Sequence, residues 1–446
     1  MSSWDKLLCT LRLGQEQRPS RRLDARSEFK RDYDRLIFSA PFRRMQNKTQ
    51  VFPLPGSIFV HNRLTHTLEV ASVGMSLGDD VARQLLCQQP ELADSMVTGI
   101  GQVVAAACLA HDMGNPPFGH SGEKAIQAFF TEGQGQQLQQ HVSPQLWQDL
   151  IHFEGNANAF RLLTHRFKGR RQGGYAMTYT MLASIVKYPF ASTLAGSHGK
   201  FGFFHTEQPC YERIAAEMGI QRLSAPGQPL RYARHPLVYL VEAADDICYE
   251  LMDLEDAHKL GLVSHEDTCR MMLDFLDDDA RQRIHQRIAD EELTDLNERV
   301  VYMRACVIGL LERECVSTFM QHQQQILDGT FSGSLIEHIG ERPRRAYRAC
   351  VDFSRRHIYA TRPVLDVELS GYHIIQTLLE RYTEAIQHPQ RFYSRQLLDR
   401  VASQYEVHDQ QLDVSLHAVV DYISGMTDLY ALDLYQKICG IALPVV

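Results

Sequence analysis

Closely spaced cysteines are missing from this sequence. Its ten cysteines are scattered from Cys9 to Cys439, and none forms a C-x-x-C pair. Disulfide-bonded secreted domains and zinc-ribbon modules both depend on dense cysteine spacing. The pattern therefore excludes a disulfide framework and a cysteine-based zinc site, and we expect a cytoplasmic location.

Long hydrophobic runs are also absent. The longest apolar run, Val103–Ala110, is far shorter than the ~18 residues that a membrane-spanning helix requires. The first residues, Met1 to Lys6, lack the basic segment and apolar stretch that together mark an export signal. We therefore expect neither a membrane span nor export.

The sequence lacks an excess of basic charge. It has 46 Lys and Arg residues against 54 Asp and Glu residues, which gives a formal net charge of −8. A dedicated nucleic-acid coat protein would present a broad basic surface. The glycine pattern of a P-loop is missing as well. Any anionic ligand must therefore be held by a local basic pocket.

The spacing of apolar residues predicts an all-α fold. Between Leu64 and Met75, and again between Leu369 and Leu379, apolar residues recur every three or four positions. Only the Gly-rich, aromatic stretch from Thr193 to His205 hints at a hairpin or an ordered loop. Residues 1–30 are polar, and we expect them to form a mobile N-terminal arm.

One stretch joins a buried helix to two ionisable residues. In VVAAACLAHDMGNPPFGHSG, residues 103–122, a helix of small apolar residues leads directly into His111 and Asp112 and then breaks at Gly114-Asn-Pro-Pro. Adjacent residues on a helix point about 100° apart, so His111 and Asp112 can both bind one ion only if that ion lies at the surface of the helix. Further metal ligands must come from other helices.

His66 and Asp245 are the candidates for those ligands. His66 begins an amphipathic helix in HNRLTHTLEV, and Asp245 follows the mostly apolar stretch Leu237–Ala244. A lone helical His or Asp is more often an ordinary capped or exposed residue. Two imidazoles and two carboxylates together suit Mn²⁺, Fe²⁺, Zn²⁺ or, less well, Mg²⁺. The residue types indicate a divalent, hydrolytic centre without selecting the metal.

The order H…HD…D is that of the HD phosphohydrolases, and the surrounding segments resemble bacterial deoxyguanosinetriphosphate triphosphohydrolases. The segments that carry the resemblance span nearly the whole chain: KTQVFP (48–53), NRLTHTLEV (62–70), HDMGNPPFGHSGE (111–123), HFEGNAN (152–158), EAADDICY (242–249) and DYISGMTDLYA (421–431). The resemblance implies hydrolysis of a deoxynucleoside triphosphate, with dGTP as the first candidate, to deoxynucleoside and inorganic triphosphate.

The resemblance also implies an architecture and a set of partners. We expect an HD phosphohydrolase domain at residues 31–260 and a helical associated region at 261–446 that packs on it. We expect a homo-oligomer, a hexamer or a tetramer, with one divalent ion per active site. Mn²⁺ and Mg²⁺ are the first candidates for that ion, and Fe²⁺ and Zn²⁺ remain open. An activator dNTP or single-stranded DNA is left open as a further partner.

Catalytic roles transfer to matching residues. The resemblance makes His66, His111, Asp112 and Asp245 the metal ligands, and only the family register selects Asp245 over Asp246. It makes His120 the catalytic histidine, with Glu123 placed to orient it and to raise its pKa. Spacing i, i+3 puts His120 and Glu123 on one helical face.

Substrate contacts follow from the same resemblance. Four residues match positions near phosphate: Arg63, Asn156, Lys187 and Lys200. Tyr249 and Asp253 match the residues that select deoxyribose, Tyr249 by packing against C2′ and Asp253 by binding the 3′-OH. With Asp245 they form an i, i+4, i+8 stripe on one helix. Gln50 resembles a third sugar contact.

Other functions stay open at this point. The protein could be an HD hydrolase of another nucleotide phosphate ester. It could instead bind single-stranded nucleic acid or sense nucleotides through Arg342–Arg356, a window with six arginines. A solvated helix face explains that window equally well.

Overall fold

The computed structural model describes residues 3–17, 25–52, 60–196, 199–409 and 411–442. Helix accounts for 66% of the chain, and the described residues contain only isolated β-bridges and no strand. The predicted all-α class is therefore confirmed. The described residues of the stretch 193–205 contain the end of a short 3₁₀ turn and one end of a bridge between Ala191 and Phe203, and they form no hairpin.

Twenty α-helices occur in the described ranges. The first ten are α1 Ser3–Leu7, α2 Glu28–Ile37, α3 Ala40–Arg44, α4 Arg63–Gln88, α5 Ile100–Ala110, α6 Gly119–Thr131, α7 Pro144–Ile151, α8 Gly155–Thr164, α9 Tyr179–Ser184 and α10 Gln208–Met218. The second ten are α11 Val238–Lys259, α12 His265–Asp274, α13 Asp278–Asp290, α14 Leu296–Gln321, α15 Gln323–Leu327, α16 Glu341–His357, α17 Arg362–Gln387, α18 Phe392–Leu398, α19 Leu412–Ser424 and α20 Asp428–Ile438.

Helices α4 and α5 pack closely at the centre of the fold. Every residue of α5 except Gln102 is buried, as expected for a helix that is apolar on all sides. Small residues allow the close approach: a Cβ added to Gly78 would lie 2.7 Å from the Cα of Gly101. Helix α11 packs against both α4 and α5. The three helices that carry the predicted metal ligands are thus neighbours.

The buried apolar residues form two clusters. The first runs from Trp4 to Val364 and contains α4, α5 and α11; the second joins α6, α7 and α8 to α17, α19 and α20. Both clusters take residues from each side of position 260. The hydrophobic core therefore does not divide at position 260. The domain boundary predicted there stays a prediction.

The N-terminal segment packs on the body of the protein where it is described. Trp4 is 1% exposed, and Arg12 forms ion pairs of 2.6 Å with Glu28 and with the fully buried Asp32. The expectation of a mobile arm is therefore wrong for residues 3–17, because a buried aromatic ring and paired charges fix them. The basic residues at 18, 21 and 22 lie outside the described residues.

Helix α16 contains the arginine-rich window. Its buried side, which includes Ala346 and Cys350, packs on α11 and α12 while most of its arginines remain at the surface. Among the described helices, none combines the length and the apolar character needed to cross a bilayer.

Candidate active site

The turn after α5 presents His111 and Asp112. Helix α5 ends at Ala110, and the Nδ1 of His111 lies 2.6 Å from the carbonyl oxygen of Cys108, one turn back. This contact fixes the ring and leaves the Nε2 as the atom available to a ligand. Asp112 is held by Asn115, whose Nδ2 donates to its Oδ1 at 2.6 Å.

Four predicted ligands converge at this turn. His66, His111 and Asp112 each offer an atom within 4.8 Å of the others. The Oδ1 of Asp245 lies 3.2 Å from the Nε2 of His66 and 3.4 Å from the Nε2 of His111. Asp245 is therefore the α11 carboxylate that faces the two imidazoles.

The donor set fits a divalent cation. The Nε2 of His111 is buried and makes no hydrogen bond to any described residue, which is costly unless a proton or a metal ion satisfies the site. Burial lowers the pKa of His111, but the charges of Asp112 and Asp245 outweigh it and raise that pKa to about 9. The same two carboxylates would stabilise a cation there. Nitrogen and oxygen donors suit several divalent metals.

Arg63 is committed to Asp112. It is 3% exposed, and its Nη1 donates to the Oδ2 of Asp112 at 2.7 Å. Gly119 has a φ of +58°, and a side chain there would collide with the Arg63 guanidinium. Arg63, predicted to contact phosphate, thus lies at the site while its guanidinium holds Asp112 in place.

A cavity of about 270 Å³ opens beside the metal ligands. It brings together residues predicted for three different tasks, and its lining includes His111, Asp112, His120, Glu123, Asn156, Lys187, Lys200 and Asp245. His66 and Arg63 do not line the cavity, but each contacts a residue that does: His66 contacts Asp245, and Arg63 contacts Asp112. Gln50, Tyr249 and Asp253 do not line this cavity.

His120 enters the cavity from the first turn of α6. It is exposed and makes no hydrogen bond to a described residue. Desolvation by the surrounding walls, together with the cations Arg63 and Lys200, lowers the pKa of His120. The expectation that Glu123 raises the pKa of His120 is therefore wrong. Desolvation lowers this pKa most strongly, Arg63 and Lys200 lower it further, and the carboxylates that oppose them are Asp112 and Glu154.

Glu123 has a different neighbour from the one predicted. Its Oε1 accepts a hydrogen bond of 2.7 Å from the backbone N–H of Gly155, the first residue of α8. Its Oε2 lies 3.9 Å from the Nζ of Lys200. No hydrogen bond joins Glu123 to His120 among the described residues, so Glu123 ties α6 to α8 and does not orient the histidine.

Glu154 lies in the segment HFEGNAN, and the sequence assigned it no role. Fully buried, it caps α8 by accepting from the backbone N–H groups of Asn156 and Ala157. Its Oε1 also accepts from the Asn156 amide and from the Lys200 ammonium, both at 2.7 Å. Although burial lowers the pKa of Lys200, Glu154 and Glu123 raise it overall. Glu154 therefore positions two predicted phosphate contacts and keeps one charged.

Lys187 also lines the cavity and is held there by Glu242. Its Nζ lies 2.9 Å from the Oε1 of Glu242, and the same carboxylate receives Arg234 at 3.0 Å on its other oxygen. Burial lowers the pKa of Lys187, but the negative charge of Glu242 raises it by more. The net pKa lies above the ordinary value of a lysine, so the ammonium stays protonated.

The predicted sugar residues lie further along α11. Asp253 is buried and accepts a hydrogen bond of 2.8 Å from the hydroxyl of Tyr359. The rings of Tyr249 and Tyr359 lie 6.0 Å apart. Burial raises the pKa of Asp253 well above its ordinary value. Tyr359 was missed by the sequence analysis, since nothing in its local sequence indicates a partner 106 positions earlier.

Comparisons with known proteins agree with this geometry. The HD domain family matches residues 63–146, and the phosphohydrolase-associated domain family matches residues 338–437. A deoxyguanosinetriphosphate triphosphohydrolase-like protein of Pseudomonas aeruginosa (strain LESB58) is 36% identical over 450 residues, which cover 99% of both chains. The chain belongs to the deoxyguanosinetriphosphate triphosphohydrolase-like family.

Further relatives of this family cover nearly the full length. The family protein of Synechocystis is 34% identical over 457 residues, covering 99% of this chain and 100% of its own. The deoxyguanosinetriphosphate triphosphohydrolase of Yersinia pseudotuberculosis is 28% identical over 492 residues, covering 92% and 93%. The recognition of an HD phosphohydrolase is thus confirmed, and the individual residue roles stay predictions.

In this family member, the phosphohydrolase-associated region is linked by hydrogen bonds to the turn that follows His111 and Asp112. The buried Lys48 donates to the carbonyl oxygens of Asn115 and Ser424. The Asn158 amide donates to the Gly114 carbonyl at 2.7 Å and to the Ser424 hydroxyl at 3.3 Å. The segment SGMTD, whose function the sequence did not reveal, therefore packs against the loop between Asp112 and His120.

Proposed function

We propose that this protein hydrolyses deoxynucleoside triphosphates to deoxynucleoside and inorganic triphosphate, with dGTP as the first substrate to test. The observation that carries the proposal is the composition of the 270 Å³ cavity, which holds three metal-ligand candidates, a histidine and two lysines. A triphosphate needs cations along its length, and an alkoxide leaving group needs a proton. The groups that could meet both requirements line this cavity together with the metal-ligand candidates.

The metal centre fits the reaction. His66, His111, Asp112 and Asp245 would hold one divalent ion, with Mn²⁺ and Mg²⁺ as first candidates. When bound, such an ion polarises a phosphoryl oxygen and activates water. Arg63 fixes one of its carboxylate ligands through the 2.7 Å contact with Asp112.

Lysine and amide groups bind the polyphosphate in this proposal. Lys200 and the Asn156 amide are presented together by Glu154, and Lys187 lines the same cavity. Charge-assisted hydrogen bonds from these groups orient the α-phosphorus toward the metal ligands.

His120 supplies the proton for the departing 5′ oxygen. Its lowered pKa leaves the ring largely neutral in the free protein. A bound triphosphate adds negative charge beside the ring and so raises its pKa. The imidazole then takes up a proton and donates it to the 5′ oxygen as the bond to the α-phosphorus breaks.

Tyr249 and Asp253 select the sugar in the proposal. Tyr249 packs against C2′, and Asp253, steadied by Tyr359, binds the 3′-OH. Gln50, whose Oε1 is buried without a partner among the described residues, is the third sugar contact in the proposal.

We also propose a cytoplasmic homo-oligomer, hexameric or tetrameric. Hydrolysis of another nucleotide phosphate ester is the second candidate, favoured by the family's shared HD centre.

Product analysis tests the proposal. The full chain is incubated with each dNTP and with GTP, in Mn²⁺, in Mg²⁺ and in a chelator, and products are separated by anion exchange. We expect deoxynucleoside and triphosphate only with metal and not from GTP. Orthophosphate or pyrophosphate as the product would contradict the proposal, and so would equal cleavage of GTP.

A histidine pair tests the assignment of His120. We expect His120→Ala to lower kcat about 100-fold or more, in line with general acid catalysis, while KM and metal binding change little. His141, which is exposed just before α7, provides the control: His141→Ala is expected to keep full activity. Full activity in His120→Ala would remove this residue from the mechanism.

A further inference from the structure

A histidine outside the metal centre cross-links helices α4 and α11. His61 lies two residues before Arg63, the first residue of α4. Its backbone N–H and its Nδ1 both lie within hydrogen-bond distance of the Oδ2 of Asp256 on α11, at 2.7 and 2.8 Å. Its Nε2 lies 3.2 Å from the Oε1 of Glu69 on α4. One side chain thus bridges two carboxylates, and we call the three residues the histidine clamp: His61, Glu69 and Asp256.

The histidine of the clamp is a cation. Burial lowers the pKa of His61, but Asp256 and Glu69 outweigh this effect and raise that pKa to about 10. The protonated ring has two N–H donors, and here each of them has a carboxylate acceptor. No salt bridge from a described lysine or arginine reaches either carboxylate. Both carboxylates therefore depend on His61 for their neutralisation.

The clamp and the metal ligands bracket one interval of α11. Near the middle of that helix, Asp245 lies 3.2 Å from His66 of α4. Eleven residues later, after about 16 Å of helix, Asp256 meets His61. The two predicted sugar residues of α11 lie between these contacts. The separation of α11 from α4 is thus fixed on both sides of the predicted sugar site.

Two further observations connect the clamp to the sugar residues. Thr49 forms an isolated antiparallel bridge with Asn62. Gln50 follows Thr49 and His61 precedes Asn62, so Gln50 and His61 lie on the same side of that bridge. Burial raises the pKa of Asp253, and His61 is among the groups that oppose the rise. The charge of His61 therefore acts on the carboxylate predicted to bind the 3′-OH.

The predicted sugar contacts come from both sides of the clamp. Gln50 belongs to the segment before α4, whereas Tyr249 and Asp253 belong to α11. A ribose differs from a deoxyribose by one hydroxyl group, so a site that excludes it must keep its walls at a fixed distance. The clamp joins the two walls through charged hydrogen bonds, which are stronger than neutral ones.

We propose that His61 is a positioning residue that determines sugar selection, because its bridge to Asp256 fixes the distance between α11 and the segment that carries Gln50. The inference rests on the proposed function and concerns which sugar that reaction accepts. His61 acts through Asp256 and Asp253 and does not itself take part in the chemistry.

Competition kinetics with the full chain tests the proposal. KM is measured for dGTP, and the inhibition constant Ki is measured for GTP as a competitor, so GTP need not be cleaved. In His61→Gln we expect the ratio of Ki for GTP to KM for dGTP to fall at least tenfold, because a wider site holds deoxyribose less well and admits ribose. A merely structural role would raise both constants together. An unchanged ratio in His61→Gln would overturn the proposal.

The matched control is His258→Gln. It replaces a histidine in the last turn of α11, outside the clamp, and should keep the wild-type ratio. A fall as large in the control as in His61→Gln would also count against the proposal, since any change at this end of α11 would then suffice.

A double variant separates sugar selection from folding. His61→Gln leaves Asp256, which is 3% exposed, as an unpaired buried charge and so weakens the fold. His61→Gln with Asp256→Asn removes that charge. We expect the double variant to unfold at a higher denaturant concentration than His61→Gln and still to show the lowered ratio. A wild-type ratio in the double variant would overturn the proposal, because the clamp would then serve folding alone.

Failure of the proposed function gives a different result. The wild type then hydrolyses no nucleotide, and the same ratio is taken from the dissociation constants of radiolabelled dGTP and GTP. A tenfold fall of that ratio in His61→Gln would still support the role of His61 in sugar selection, and an equal ratio would overturn it.

Discussion

The carboxylate of Asp428, at the start of α20, accepts a hydrogen bond of 2.9 Å from the backbone N–H of Phe118, which lies 310 positions earlier. Its second oxygen accepts from the backbone N–H of Thr49 at 2.7 Å. Phe118 has a φ of +63°, a left-handed conformation that costs energy for an aromatic residue. Asp428 thus stabilises the strained turn that leads from Asp112 to His120.

Removing the charge of Asp428 should loosen this turn. Asp428→Asn weakens two hydrogen bonds to a buried carboxylate, and we expect the free energy of unfolding to fall by about 2 kcal/mol, with a loss of kcat larger than any change in KM. Denaturant unfolding and steady-state kinetics measure both effects. Asp433→Asn, on the same helix but ion-paired at the surface with Lys437, is the control. An Asp428→Asn variant with wild-type stability and kcat would contradict this role.

Lys48 should make stability depend on pH. Burial, assisted by the charge of Arg44, lowers the pKa of this lysine to about 7. The unfolded chain therefore binds more protons than the folded chain between about pH 7 and pH 10, and stability rises with pH across that interval. Over two pH units the gain is up to about 2.7 kcal/mol.

The variant Lys48→Met checks the assignment of that slope. Unfolding by urea at pH 7, 8 and 9 should give a smaller rise in the free energy of unfolding for the variant than for the wild type. The exposed Lys6→Met serves as the control. An unchanged slope in Lys48→Met would rule out this lysine as the source.

Asp245 and the adjacent Asp246 should differ in metal binding. Of the two carboxylates, only that of Asp245 faces His66 and His111, at 3.2 and 3.4 Å. The backbone carbonyl of Asp246 accepts a hydrogen bond from the Tyr347 hydroxyl. We expect Asp245→Asn to weaken Mn²⁺ binding by about 100-fold, a loss of roughly 2.7 kcal/mol, and Asp246→Asn to weaken it little. Metal titration by calorimetry decides between them, and the reverse order would show that the register is shifted by one residue.

Tyr359 should matter for substrate binding. Tyr359→Phe removes the hydroxyl that donates to Asp253 at 2.8 Å, so the carboxyl group loses its fixed orientation. We expect KM for a dNTP to rise about tenfold, as for one lost hydrogen bond of roughly 1.4 kcal/mol, with a smaller change in kcat. Tyr347→Phe is the control. It removes a tyrosine hydroxyl that donates to the backbone carbonyl of Asp246 on α11, the helix that also carries Asp253. Equal KM values for Tyr359→Phe and the wild type would exclude the role.

Much of the fold and of the metal centre was predictable from the sequence because both depend on local patterns. The apolar run before His111 could only form a buried helix, and the i, i+4, i+8 spacing placed Asp245, Tyr249 and Asp253 on one stripe. The order of the H…HD…D residues then indicated one shared centre. The four ligand candidates indeed lie together in the structure.

The partners of these residues were decided by the tertiary structure alone. The sequence placed Glu123 beside His120, yet packing of α6 against α8 gives its carboxylate to the Gly155 N–H. Arg63 meets Asp112, and Phe118 meets Asp428, across 49 and 310 positions. Helical periodicity is set by neighbouring residues and is visible in the sequence, whereas long-range contacts depend on how the helices pack. The sequence by itself therefore determined which residues are candidates for the chemistry, and the tertiary structure determined which groups hold them in place.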